Sequence, residues 1–226
     1  MAHLNQTPAE KALHQNVISV ITSKECKMIS FSYEGILINQ FKYAEIANYM
    51  RPYNGFMAFG GAPITVKIEA QPTGVEAEYD PKNDVVSFPS SNYGVTPFQK
   101  MAIVHEVTHA ILDSYGKKYA LFRLDNEMIA YIASAMYNIN CGSPFLANKG
   151  TILYEADELV KKIYENEIES KNNGINIFYK FFSYNISKSN HKTNIYPLRM
   201  AIKNSSTYSS LMSNPALTYA DNGIGF

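Results

Sequence analysis

The stretch that decides the fold is "TPFQKMAIVHEVTHAILDSYG", residues 96–116. Thr96 is a natural N-cap, Pro97 suits the first helical position and Gly116 is a natural stop, so one helix is predicted from Pro97 to Tyr115. Met101, Ala102, Ile103, Val104, Val107, Ala110, Ile111 and Leu112 occupy almost every side of it. A helix that is apolar all round belongs in a core. This one nevertheless carries His105, Glu106 and His109. Two imidazoles and a carboxylate buried without partners are costly, and a divalent cation relieves that cost.

Helical residues four apart share a face, so His105 and His109 can offer ring nitrogens to one point. Zinc accepts neutral imidazoles and tolerates a tetrahedral site with one open position. Glu106 is rotated by about 100° from His105, which removes it from the ligand set but lets it reach a water in the open position. That is the physical content of an H-E-x-x-H motif. The competing reading, two core or surface histidines on an ordinary helix, is weakened by the apolar surroundings.

A third ligand is needed, and "LDNEMIAYIASAMYNIN", residues 124–140, offers Glu127 near the start of a second helix. His109 lies about 10 Å of helical rise before the first helix ends. The loop from Gly116 to Leu124 can span that distance, so the second helix can return antiparallel with Glu127 level with the histidines. The alternative for Glu127 is an exposed first-turn glutamate favoured by the helix dipole. Asp125 competes as a ligand but reads as the N-cap of this helix.

Outward from this pair, "TPAEKALHQNVISVI" opens with Thr7, Pro8 and Glu10 as a capping box, giving a helix over Pro8–Ser23. "ISFSYEGILI" (29–38) reads as extended and "FKYAEIANYM" (41–50) as a short helix ending before Pro52. "APITVKIEA" (62–70) alternates like a strand. "VEAEY" (75–79) and "DVVSF" (84–88) flank the turn residues "DPKN" as a hairpin. The glycines of "YNGFMAFGGAP" (53–63) mark a loop, and no helix with a following lysine makes it a phosphate cradle. Residues 151–170 show a helical period with one dry face. "INIFYKFFSYNI" (175–186) is ambiguous between helix and strand, "YPLRMAIKNSSTYSSLM" (196–212) reads as a final helix, and the tail "ADNGIGF" (220–226) as loop. The expected fold class is α+β in a single domain over 1–226, with a helix plus sheet-rich part (1–95) and a helical part carrying the metal site (96–226). The small sheet is expected to be antiparallel or mixed.

Twenty basic and twenty acidic residues balance to zero net charge. That leaves no electrostatic footprint for nucleic acid or an anionic membrane. No apolar run reaches membrane-span length, and the N-terminus lacks the pattern of a signal peptide, so a cytoplasmic location is expected; export by a signal-less route is compatible with it. Asn-x-Ser/Thr matches at Asn5, Asn185 and Asn204 then carry no meaning. Two cysteines, Cys26 and Cys141, make no disulfide framework. The 17 tyrosines, with no tryptophan, are read as half-polar packing. The oligomeric state is not legible.

"HEVTHAILD" resembles the active-site helix of thermolysin-like metallopeptidases, and "NEMIA" resembles the stretch giving the glutamate ligand in the wider gluzincin class of zincins. The resemblance covers residues 97 to 137. It implies a minimal zincin-like domain with the H-E-x-x-H helix at its centre and one catalytic zinc held by His105, His109 and Glu127. Glu106 would be the general base, Asp113 a structural or supporting carboxylate, and a peptide or protein the substrate. A downstream histidine or tyrosine would assist the oxyanion; His191 is the leading candidate, Tyr196 and Tyr184 the weaker ones. His3 and His14 are read as non-functional. Where the thermolysin pattern has an aspartate orienting a histidine, this chain has Tyr131, which could serve only by reaching a ring N–H. A catalytically silent zincin-like binding domain, a delivered effector or toxin protease, and a hydrolase of non-peptide bonds are the alternatives. Either "ITVKIEA" or the hairpin is a candidate sheet edge beside the central helix, able to accept an extended peptide by strand addition.

Overall fold

The computed structural model describes residues 6–50, 64–116, 121–143, 147–172, 184–186 and 194–209. Helix α1 (Pro8–Ile21) starts with the expected capping box, Thr7 Oγ1 accepting from the Glu10 N–H and Glu10 Oε2 from the Thr7 N–H. It stops short of Ser23 because Ser23 caps a separate short helix, α2 (Lys24–Lys27), by accepting from the Cys26 N–H. The extended stretch 29–38 is a hairpin of β1 (Ser30–Tyr33) and β2 (Ile36–Asn39). Glu34 and Gly35 adopt the pair of positive φ angles, 48° and 87°, that a two-residue hairpin turn requires. Helix α3 (Gln40–Met50) follows.

Strands β3 (Thr65–Ile68), β4 (Glu78–Asp80) and β5 (Val85–Phe88) come next, then the long helices α4 (Pro97–Ser114), α5 (Arg123–Asn140) and α6 (Ile152–Asn172). The chain continues with β6 (Tyr184–Ile186), α7 (Tyr196–Asn204) and α8 (Ser206–Ser209). The glycine-rich stretch 53–63, residues 175–183 and the tail lie outside the described residues.

The architecture is α+β, and among the described residues the sheet is not one but two. β4 pairs antiparallel with β5 across the predicted turn, and β3 adds parallel to β5, giving the order β3-β5-β4. In the second sheet, order β2-β1-β6, β6 lies parallel to β1. That strand settles the ambiguity at 184–186 and shows that the sheet content is not confined to residues 1–95. The expected final helix is also broken. Ser205 adopts extended angles, and its hydroxyl accepts from the Thr207 N–H to start α8.

Helix α4 is the core element. From Ile103 to Asp113 every residue is buried. Gly94, at φ 98°, lets the preceding turn approach it; a Cβ there would stand 2.8 Å from Ile103 Cδ1. Small residues Ala130, Ala133 and Ser134 bring α5 close, and Ser134 Oγ donates to the Met101 carbonyl at 3.2 Å. Tyr43 on α3 meets Thr108 Oγ1 at 2.7 Å; Thr108 donates its own proton to the Val104 carbonyl, so Tyr43 is the donor. None of the described helices is long and apolar enough to cross a membrane.

Asp125 is not the N-cap of α5. Phe122 holds that position without a side-chain cap. The Asp125 carboxylate turns inward, accepts from the Tyr33 hydroxyl at 3.0 Å and pairs with Arg199 of α7. A buried carboxylate with a cation within reach gains more from that pair than from an exposed cap. The pair ties β1, α5 and α7 together.

Candidate metal centre

Helices α4 and α5 bring His105, His109 and Glu127 to one point, as the spacing predicts. His105 Nε2 lies 3.1 Å from His109 Nε2, and Glu127 Oε2 lies 3.4 Å from the first and 3.7 Å from the second. A four-coordinate ion with bonds of about 2.0–2.1 Å keeps its ligand atoms about 3.3–3.4 Å apart. The three atoms are therefore spaced as three corners of such a tetrahedron. All three residues are buried, and Glu127 Oε2 faces the two imidazole nitrogens. A buried carboxylate is costly unless a cation meets it. The group can hold a metal ion.

Local structure selects the required form of His109. Its Nδ1 contacts Asn126 Oδ1, a carbonyl oxygen that only accepts, so Nδ1 carries the hydrogen. The Nε2 lone pair then points at the triad, which is the ligating tautomer. Asn126 is the residue before Glu127, so one turn of α5 supplies both a ligand and the group that orients another. Tyr131 does not take that role. Its ring stands edge-on to His105 at 4.5 Å, and its hydroxyl pairs with the Tyr208 hydroxyl at 3.0 Å.

The three groups shift one another's ionisation. Burial holds His109 down at about 4, with Glu127 opposing and His105 adding to the effect. Burial also opposes charge on His105, but the hydrogen bond to Glu127 and the charges of Glu106 and Glu127 outweigh it and raise its pKa. Glu127 would be raised by burial, yet the two imidazoles hold it below its ordinary value.

Glu106 is turned by about 100° around α4 from His105, and it lines the same cavity as the triad. Its Oε2 accepts from the Tyr79 backbone N–H of β4 at 2.8 Å. Burial pushes its carboxyl up to about 8; His105 and this hydrogen bond oppose the shift, and Glu127 adds to it. The Tyr79 hydroxyl meets Asp113 Oδ2 at 2.7 Å and Asp84 Oδ1 at 3.1 Å. Asp113 is thus a structural carboxylate that fastens α4 to β4. One residue, Tyr79, positions Glu106 through its main chain and the helix through its side chain.

A cavity of about 430 Å³ opens over the triad. Its walls include the 74–79 segment ending in β4, the α4 face from Phe98 to His109, α5 from Arg123 to Ser134, and Tyr208 of α8. Tyr208 was invisible to sequence reasoning, because 196–212 reads as one helix and the serine break that turns the residue inward carries only a weak signal. Burial and the adjacent Glu127 charge hold its phenol well above the ordinary range. Of the other candidates, Tyr196 and His14 do not line the cavity. Tyr196 is exposed at the start of α7, Tyr184 lies in β6, and His14 is buried in α1 facing Gln6. His191 and His3 lie outside the described residues. No family model, no curated protein and no solved structure matches the chain, so its likeness to gluzincins rests on the residues of α4 and α5 alone.

Proposed function

We propose that the protein is a zinc-dependent metallopeptidase with a minimal zincin-like domain. The observation that carries this reading is the combination at one cavity: three buried ligand atoms at tetrahedral spacing, beside a buried carboxylate that is not among them. A structural ion needs no such fourth group. Two imidazoles and one carboxylate form a donor set suited to zinc, which when bound polarises a carbonyl oxygen and makes a neighbouring water acidic.

The chain's own groups account for the rest. Glu106, held by the Tyr79 N–H, takes a proton from a water on the open side of the triad. The water oxygen attacks the carbonyl carbon of the peptide bond. The same carboxyl then passes the proton to the leaving nitrogen as the C–N bond breaks. Tyr208 is the hydroxyl at hand to donate to the developing oxyanion, with Tyr131 as its hydrogen-bond partner. Among the described residues β4 ends its sheet and borders the cavity, an edge along which an extended peptide can lie. The substrate is a peptide or protein; the delivered effector is one setting for such an activity.

The test is Glu106→Gln. It should retain zinc and lose about 10²–10⁴-fold in cleavage of a mixed peptide library. A zinc-loaded wild type that cuts nothing, while Glu106→Gln behaves identically, would favour a binding domain instead.

A further inference from the structure

Tyr79 of β4 has one hydroxyl hydrogen and two carboxylates within reach of it. Its oxygen lies 2.7 Å from Asp113 Oδ2 on α4 and 3.1 Å from Asp84 Oδ1, just before β5. Both aspartates are buried, Asp113 at 4% and Asp84 at 7% exposure. With both ionised, two anionic oxygens converge on one hydrogen. Two carboxylates that share a site raise the proton affinity of one of the pair. A single proton removes the conflict: the protonated carboxyl donates to the phenol oxygen, and the phenol donates to the other carboxylate. The shorter contact marks Asp113 as the ionised acceptor, because charge-assisted hydrogen bonds are the short ones. The proton then sits on Asp84.

Facing Asp84 are Tyr79 and Asp80 of β4, Asp113 of α4 and, on β3, the uncharged Thr65, whose N–H meets the Asp84 carbonyl. Lys82, in the turn between β4 and β5, gives its main-chain N–H to Asp80. Among the described residues no lysine or arginine forms an ion pair with Asp84. We propose that Asp84 is a proton-dependent latch: protonated, it completes a bridge through the Tyr79 hydroxyl that fastens the β4–β5 hairpin to α4, and ionised, it opens that bridge. Burial raises its carboxyl above the ordinary range; the Tyr79 hydroxyl opposes this and the Asp80 charge adds to it. Its contribution to stability is therefore fully present below the unfolded-chain value of about 3.9, and is lost as pH rises through the folded value. The same tyrosine holds Glu106 through its N–H at 2.8 Å, so the latch acts on the wall of the cavity that positions Glu106. It works without metal or substrate, and its failure would leave the peptidase reading untouched.

The test is the melting temperature of the full chain in a chelating buffer, from about pH 4.5 to about pH 8, for wild type and Asp84→Asn. The amide carries no charge, keeps a donor for the phenol oxygen and suits the left-handed φ of 52° at this position. Towards pH 8 the variant should gain on wild type. The gain should be about 3–5 °C for each tenfold by which folding strengthens the hold of Asp84 on its proton. Burial opposes ionisation of Asp80, but the Asn83 amide and the Lys82 and Asn83 N–H groups hold its carboxyl below the ordinary range. Asp80→Asn, the same charge change in the same hairpin, should therefore shift the melting temperature by nearly the same amount at every pH. A difference between wild type and Asp84→Asn that does not grow with pH, or growth that Asp80→Asn reproduces, overturns the proposal. Carbon-13 NMR of the side-chain carboxyls reads the proton in wild type itself. Asp84 should titrate above about 3.9, and titration at or below that value overturns the proposal as well.

Discussion

Replacing Asn126 by alanine should weaken metal binding without touching a ligand. Asn126 is buried at 5% exposure, and its side-chain carbonyl faces His109 Nδ1. In the variant the Nδ1 hydrogen has no partner, and the imidazole is free to move its proton to Nε2, where it blocks ligation. A buried donor left unsatisfied costs about 1–3 kcal/mol. If the whole cost falls on the metal-bound state, that is about 5- to 150-fold in affinity, and supporting residues of metal-bound histidines span about 10- to 100-fold. Competition against a chromophoric zinc chelator measures it, with far-UV circular dichroism confirming the fold. Asn126→Asp, which keeps an acceptor in place, should bind within a few-fold of wild type. Alanine and wild-type proteins of equal affinity would refute the orienting role, and with it the argument that α5 prepares His109.

Tyr208→Phe should keep zinc affinity and KM and lower kcat by about 10²–10³-fold, as expected for a lost oxyanion donor; a fall confined to KM in steady-state kinetics would show that the hydroxyl only binds substrate. Arg199→Met removes the cation paired with the Asp125 carboxylate, which is buried at 1% exposure. It should cost about 3 kcal/mol and lower Tm by about 6–12 °C in calorimetry, whereas a change under 2 °C (about 0.5–1 kcal/mol) would deny the ion pair its anchoring role. Because α7 leads directly into α8, the same variant should lose activity through Tyr208 before it unfolds. Saturating zinc at about 100 times its Kd should stabilise wild type by about 2.7 kcal/mol, a rise of about 5–10 °C that His105→Ala should not show.

What could be read ahead of the structure was local. The central helix announced itself by Thr96, Pro97 and Gly116, and its histidines by conflict with an apolar helix. Glu127 followed from helix length and loop reach. The failures involve partners distant in sequence. Asp125 looked like a cap because the arginine that claims it lies 74 residues later. β6 pairs with β1 across some 150 residues, in parallel, a contact no local period encodes. Tyr131 was weighed as a ligand support by analogy with an aspartate, but its longer side chain carries the hydroxyl past the imidazole to Tyr208. Asn126 stood beside Glu127 in the motif, and its role appears only once α4 and α5 are packed together. Tyr79 positions Glu106 through a backbone N–H, a function that no side-chain identity can signal.

The most direct measurement is metal content. Protein dialysed against zinc and then against metal-free buffer should carry one zinc per chain by elemental analysis, and His109→Ala, folded by circular dichroism, should carry almost none. Wild-type protein without metal, or a His109→Ala protein that retains it, would contradict the account.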